Sequence, residues 1–216
     1  MYPAARRTHT PDQLTLARGG LRDTLLQVQV RRFEHTHMAN GHSIESFVRT
    51  VFLGDLRRMT YDCGLHYLAF GAIAVGIEFL GACQDAEDFG RQGLSGRRFE
   101  RGIEDFMRPV DARYSTFNQQ ASPFYLYKHL RCGMAHVMRP EGAVGFTCRS
   151  DAEKAGYRHL DMLSLDGGRQ AIIMTAEGFY DDFAKACEIF LAQLPAKTGA
   201  KFTDVYLPVS ELPRRA

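Results

Sequence analysis

The sequence predicts a mainly α-helical domain with a small antiparallel β-hairpin or sheet inserted before its last helix. Three observations predict this class. Apolar residues recur at three- and four-residue spacing over most of the chain, residues 64–83 are apolar on nearly every side, and the pattern changes to alternation at about residues 143–174. A bundle of four or five helices with a β appendage is the simplest packing of these elements.

The composition is that of a folded globular protein with little bulk charge. The chain has 216 residues, of which 45% are hydrophobic, and its formal net charge is +2. This length accommodates one domain or two small ones, and the hydrophobic content excludes general disorder. Because so small a net charge does not predict nucleic-acid binding, any basic surface has to be local.

The five cysteines predict free thiols in a reducing compartment. They are widely spaced, their number is odd, and no two of them form the C-x-x-C pair of a zinc ribbon or redox motif. The chain shows no signal-peptide pattern, so a cytoplasmic location is expected. Residues 64–83 could span a bilayer by length, but Glu78 favours a buried helix because an ionised carboxylate in lipid is costly. No membrane association is expected.

Residues 1–42 are predicted to be an irregular N-terminal segment. Near its end, His35, His37 and His42 resemble a cluster of metal ligands. Because no carboxylate accompanies them at a fixed offset, a solvated loop is favoured over a metal site. The sequence therefore predicts neither a metal nor a cofactor.

Residues 43–196 are predicted to form the helical domain, which begins with two helices. Ser43 is a suitable N-cap for a helix from about Ile44 to Met59. A second helix, from about Leu65 to Cys83, is apolar almost all round, which predicts a central position in the bundle. Its small residues would let neighbouring helices approach closely. These small residues are Gly71, Ala72, Gly76 and Gly81.

Two further helices follow a Gly-rich, charged connector. Ser95 is a potential cap of the third helix, which ends at Pro109. Pro123 suits the first turn of the fourth helix, which ends before Pro140. Six arginines in this region predict either a phosphate-binding face or a solvated surface of ion pairs, since acidic residues intersperse them. These arginines are Arg91, Arg97, Arg98, Arg101, Arg108 and Arg113.

The β insertion is predicted at about residues 143–174. An alternating strand from Val144 precedes a hairpin whose turn is Asp166-Gly167-Gly168-Arg169. A last amphipathic helix follows, and residues 197–216 are expected to form an extended C-terminal tail.

The fourth helix carries the pair of residues that predicts a specific chemistry, Arg131 and His136. An imidazole can take a proton from a ribose 2′-hydroxyl or give one to the leaving 5′-oxygen, and a guanidinium can hold the phosphate. Such a pair suits metal-independent cleavage of RNA to a 2′,3′-cyclic phosphate and a 5′-hydroxyl. On an ideal helix the two side chains diverge by about 140°, so they need a distorted helix end or a second subunit to converge. Tyr127 shares the face of Arg131.

The segment from Arg131 to His136 resembles the R-x-x-x-x-H signature of HEPN domains. Glu78, on an earlier helix, is similar to the acidic residue that often supports the signature arginine. The resemblance covers roughly residues 44–140 and the last helix. It implies a HEPN-like bundle and a homodimer whose signature helices form a composite cleft.

The resemblance also implies roles for the site residues. Many HEPN proteins are metal-independent ribonucleases of toxin–antitoxin, CRISPR or antiviral systems. Arg131 would bind the scissile phosphate and His136 would act as general acid/base. Glu78 would orient Arg131. Tyr127 would line the cleft, and His129 would lie on the helix surface or at the rim of the cleft.

Three alternatives use the same helix without catalysis. Arg131 and Glu78 can form a purely structural ion pair while His136 stabilises the helix end. The chain can be a non-catalytic interaction or dimerisation module, which Cys132 favours because active HEPN members often have a polar residue at that position. The cleft can also bind a small phosphate-bearing ligand without turnover. Cys132 itself is either a reactive thiol or a buried, inert one.

Overall fold

The computed structural model describes residues 44–196, which form seven helices and one three-stranded sheet. The fold of this part is therefore mainly α, as the sequence predicts. Three features predicted from the sequence lie outside the described residues: the histidine-rich loop with His35, His37 and His42, the Ser43 cap, and the C-terminal tail.

Two long helices begin the fold. Helix α1 covers residues 44–62, with an α-helical turn at Ile44–Phe47 and wider π-type turns at Val48–Asp55 and Arg58–Asp62. Helix α2 is His66–Ala82, within one residue of the predicted bounds at each end. Gly64, with φ of +62°, lies between the two helices, where the left-handed backbone favours glycine.

Two shorter helices follow. Helix α3 is Ser95–Gly102 and continues through Ile103–Met107, as predicted. Ser95 is the first residue of α3, and no side-chain hydrogen bond caps this helix, so the predicted Ser95 cap is wrong. Helix α4, Arg113–Phe117, was not predicted, because a single helical turn shows too little periodicity to be recognised.

Helix α5 comprises Tyr127–Cys132 and continues through Gly133–Val137. It begins four residues later than Pro123 indicates. The carboxamide oxygen of the buried Asn118 accepts the Tyr127 N–H at 2.9 Å. A side chain distant in sequence thus takes the role of an N-cap and places the start of α5 after the turn that contains Pro123.

In the chain, the strands of the sheet follow α5 and precede the last helix. Strands β1 (Val144–Thr147), β2 (Asp161–Ser164) and β3 (Gln170–Thr175) are arranged in the order β1-β3-β2. The predicted hairpin is confirmed, since β2 and β3 are antiparallel, with Met162 opposite Ile172.

The prediction that the whole sheet is antiparallel is wrong, because β1 pairs with β3 in parallel. Helix α6, Arg149–Lys154, lies between β1 and β2 and was not predicted. This crossover lets β1 join the free edge of β3 in the same direction. Helix α7, Ala176–Gln193, ends the described fold with the predicted apolar face buried.

Glycines bring α2 close to its neighbours, as predicted. A Cβ atom added to Gly81 would lie 1.7 Å from the carbonyl oxygen of Arg98 on α3, and one added to Gly102 would lie 2.1 Å from the oxygen of Ile77 on α2. The two helices therefore cross with their backbones in contact.

The burial of α2 is one-sided. Leu68 and Val75 are 46% and 54% exposed. The central position predicted for α2 from its apolar residues therefore holds only for its inner side. None of the helices in residues 44–196 is both long and apolar enough to cross a membrane.

Candidate functional site

The candidate site lies where α5 runs antiparallel along α2. Three contacts define the alignment. The hydroxyl of Tyr67 donates to the carbonyl of Met138, Gly71 faces Met134, and Glu78 meets Arg131. Because Gly71 has no side chain, the methionine fills the space above it, with a side-chain carbon 3.5 Å from the position of a Cβ.

The structure brings Arg131 and Glu78 together. Nε of Arg131 donates to Oε2 of Glu78 at 2.5 Å, and their side chains are 18% and 19% exposed. A charge-assisted contact at this level of burial fixes the position of the guanidinium. Only Nε is used in this contact, and no residue in 44–196 accepts a hydrogen bond from the two terminal amino groups of Arg131.

His136 has a different environment. It is exposed in the last turn of α5, and the described residues provide no hydrogen bond to its ring. Arg131 lies in the wider π-type turns of Tyr127–Cys132, whereas His136 lies in the α-helical turn Gly133–Val137. Arg131 points inward to α2, whereas His136 faces solvent.

The chain reverses immediately after His136. Met138 has φ of 53°, in the left-handed region, and Tyr67 binds its carbonyl. The returning backbone then passes over α5, because a Cβ on Gly133 would lie 2.5 Å from the Arg139 carbonyl oxygen. This close passage requires a glycine inside the R-x-x-x-x-H segment.

His129 is half-buried, because the same returning segment covers part of its side chain. Its carbonyl accepts the Glu141 N–H at 2.9 Å, and its ring lies against Gly142, which has φ of +63°. Burial, aided by the charge of Lys128, lowers the pKa of His129. Its contacts therefore indicate a packing role.

Tyr127 also packs, but against α3. Its ring centroid is 5.8 Å from that of Phe99, and a ring carbon lies 3.2 Å from the position that a Cβ on Gly96 would occupy. Burial, together with the neighbouring Cys132 thiol, raises the pKa of Tyr127. Tyr127 thus packs α5 against α3, and Arg131 joins α5 to α2.

Most of the six arginines are engaged, which supports the ion-pair interpretation over a phosphate-binding face. The guanidinium of Arg98 is 5% exposed and also donates to the carbonyls of Asp88 and Phe89. Arg101 donates to the carbonyl of Gln84. The ion pairs are Arg98–Asp85, Arg108–Glu104 and Arg113–Asp111. Arg91 and Arg97 are exposed.

Sequence reasoning missed a buried polar network at the start of α7. The Thr175 N–H donates to Nδ1 of His159 at 2.9 Å, so Nε2 carries the hydrogen and donates to the Tyr114 hydroxyl at 2.9 Å. That hydroxyl donates to Asp182. Burial, with the charge of Arg113 adding to it, lowers the pKa of His159 to about 3.

A second missed cluster joins α1, α2, α6 and α7. Asp181 accepts from the Tyr61 hydroxyl and from Arg149, each at 2.6 Å. Glu177 accepts the Arg149 N–H at 2.8 Å and lies 3.6 Å from Nε2 of His66. No local sequence signal predicts either cluster, because their members come from segments far apart in the chain.

All five cysteines lie within residues 44–196 and are free thiols, of which Cys132 is half-buried. In this part of the chain, no group of three His, Cys, Asp or Glu side chains could hold a metal ion.

No protein-family model matches the chain, and neither a curated protein nor a solved structure has significant similarity to it. The site itself offers an anchored guanidinium that can bind an anion and an exposed imidazole that can exchange protons.

Proposed function

We propose that this protein is a HEPN-like, metal-independent endoribonuclease that acts as a homodimer in the cytoplasm. The observation that carries the proposal is the contrast between the two signature residues. Arg131 is anchored by Glu78 through Nε, with its terminal amino groups left for a phosphate. His136 lies exposed on the same helix, ready to exchange protons with a bound substrate.

The proposed reaction starts from the ribose 2′-hydroxyl. One His136 imidazole accepts the 2′-hydroxyl proton while the oxygen forms a bond to phosphorus. The bond from phosphorus to the 5′-oxygen breaks, and an imidazolium donates its proton to that oxygen. Arg131 stabilises the charge on the non-bridging phosphate oxygens. The products are a 2′,3′-cyclic phosphate and a 5′-hydroxyl, and no metal or cofactor is needed.

A second copy of the chain is part of the proposal because acid and base act on opposite sides of the phosphorus. One helix carries one His136, which points away from Arg131 of the same helix. Two α5 helices facing each other supply two imidazoles and two guanidinium groups to one cleft. The exposed Leu68 and Val75 of α2 offer apolar area for such a contact.

The second candidate is a non-catalytic interaction module. The Arg131–Glu78 ion pair favours it, because this pair accounts for Arg131 structurally, and Cys132 stands where a polar residue is frequent in active HEPN members. On this interpretation the same helix forms a dimer or partner interface in a defence or toxin–antitoxin system. A binding site for a small phosphate-bearing ligand without turnover is the third candidate.

The test is incubation of the purified full chain with mixed RNA in excess chelator. The proposal predicts fragments with 2′,3′-cyclic phosphate ends, and loss of cleavage in His136→Ala. Because His136 is exposed and makes no described hydrogen bond, its removal should leave the unfolding midpoint unchanged. Arg131→Lys keeps the charge but not the fork of donors, and should cleave slowly. Absence of cleavage, or cleavage that survives His136→Ala, would favour the interaction module.

A further inference from the structure

Tyr67 is an exposed aromatic side chain next to the proposed catalytic end of α5. Its ring is 44% exposed. Its hydroxyl binds the carbonyl of Met138, two residues after His136, and two residues of chain span at most about 7 Å. The ring therefore lies on the same part of the surface as His136.

The ring of Tyr67 is held in place from two sides. The hydrogen bond to Met138 fixes its outer end. The ring of Phe146 on β1 packs against it edge-on, with the centroids 6.1 Å apart and the planes inclined by 70°. A ring fixed in this way loses little conformational entropy when a planar group stacks on it.

The surface around Tyr67 combines apolar area with positive charge. Val137 and Met138 are both about half exposed. Arg139, directly after Met138, is exposed and makes no ion pair among the described residues, whereas Arg131 is paired with Glu78 and Glu141 lies back over His129. An aromatic and apolar surface beside unbalanced positive charge complements a ligand that has both planar bases and phosphates.

We propose that Tyr67 is a stacking surface for an unpaired nucleobase next to the scissile phosphate, so that the substrate class is single-stranded RNA. The proposal rests on the proposed function for the position of the scissile bond. Bases inside a duplex are stacked on each other and cannot cover the ring, whereas the splayed bases of a single strand can. Sequence preference should be weak, because every base has a face that can stack.

The experiment measures RNA binding in the His136→Ala background, so that the probe is not cleaved. The full chain is titrated into a fluorescently labelled, mixed-sequence single-stranded RNA and into a duplex of the same sequence, with anisotropy as the readout. Tyr67→Ala and Tyr67→Leu remove the ring, the latter preserving apolar volume, and Tyr67→Phe retains it. Met162→Ala is the control, since Met162 is an exposed apolar residue on β2, which β3 separates from β1.

The dissociation constant for single-stranded RNA should rise roughly 5- to 150-fold in Tyr67→Ala and Tyr67→Leu, the range expected for one lost base stack. Tyr67→Phe should bind within about threefold of its parent, and Met162→Ala should bind like the parent. Duplex binding should be weaker and independent of the ring at residue 67. Equal binding by parent and Tyr67→Leu overturns the proposal, as does an equal loss in Tyr67→Phe.

The two proposals fail in different ways. If the wild-type chain cleaves RNA but the loss of the Tyr67 ring leaves binding unchanged, the ribonuclease proposal stands and the stacking proposal is wrong. If binding depends on the ring but RNA is never cleaved, the stacking surface stands and the catalytic proposal is wrong. If the chain binds no RNA and captures only protein partners at this surface, both are wrong.

Discussion

Replacing Gly81 by alanine tests the crossing of α2 and α3 on which the position of Glu78 depends. The added Cβ would lie 1.7 Å from the Arg98 carbonyl oxygen and 2.8 Å from the Gly102 nitrogen. Since non-bonded heavy atoms prefer separations of about 3.5–4.0 Å, the helices must move apart by more than an ångström. Both clashing groups are backbone, so no side chain can rotate away to relieve them.

The magnitude follows from two opposing effects. Overpacking a well-packed contact costs about 1–3 kcal/mol, and this contact belongs at the upper end of the range or above it. Alanine recovers at most about 1 kcal/mol of helix propensity. Gly81→Ala should therefore lower the free energy of unfolding by about 2 kcal/mol or more.

The assay is equilibrium unfolding in urea followed by circular dichroism, with Gly90→Ala as the matched control. Gly90 has open space around its Cβ position, so this change should stay within about 0.5 kcal/mol of wild type. Adding Gly102→Ala to Gly81→Ala should cost less than it does alone, because the helices are already separated. If Gly81→Ala and Gly90→Ala unfold at the same urea concentration, the described crossing is wrong.

Two further predictions concern buried charge and pH. Arg98→Ala removes the ion pair of the buried Asp85 carboxylate and should lower the free energy of unfolding in urea by about 3–5 kcal/mol. The control Arg97→Ala, at the exposed neighbouring residue, should change it by less than about 0.5 kcal/mol. Equal losses in the two variants would contradict the Arg98–Asp85 pairing. In the folded protein His159 stays neutral down to its pKa of about 3, whereas in the unfolded chain it is protonated below about pH 6.5. Its contribution to the free energy of unfolding is therefore complete above pH 6.5 and declines as the pH falls towards 3. By pH 5 the loss should reach about 2 kcal/mol, and stability measured against pH should decline less steeply in His159→Gln than in wild type.

Elements with their own periodic signal could be predicted from the sequence. Helix α7 has apolar residues at helical spacing along one face, helix α2 is an apolar run too long for a strand, and the β2–β3 hairpin has two adjacent glycines in its turn with positive φ. Elements that depend on distant partners could not be predicted. The start of α5 depends on Asn118, and the parallel pairing of β1 depends on the edge that β3 leaves free.

The candidate site divides in the same way. The contact between Glu78 and Arg131 could be predicted from the sequence. Glu78 is a lone carboxylate in an apolar helix, and Arg131 belongs to a recognisable motif. The contact of His129 with Gly142 could not be predicted, since the chain reversal that brings them together includes a left-handed Met138. Tyr67 had no local signal, because its partner carbonyl lies 71 residues away in the chain.

The most direct test of the shared two-copy site is the activity of mixed dimers. Wild-type chain and His136→Ala are co-expressed in equal amounts with different tags, and RNA cleavage in chelator is measured per total chain. If one cleft needs an imidazole from each copy, only wild-type homodimers cleave, and about a quarter of the wild-type activity remains. If each chain works alone, about half remains. We expect a quarter of the activity; half the activity, or no cleavage by the wild-type chain itself, would contradict the shared cleft.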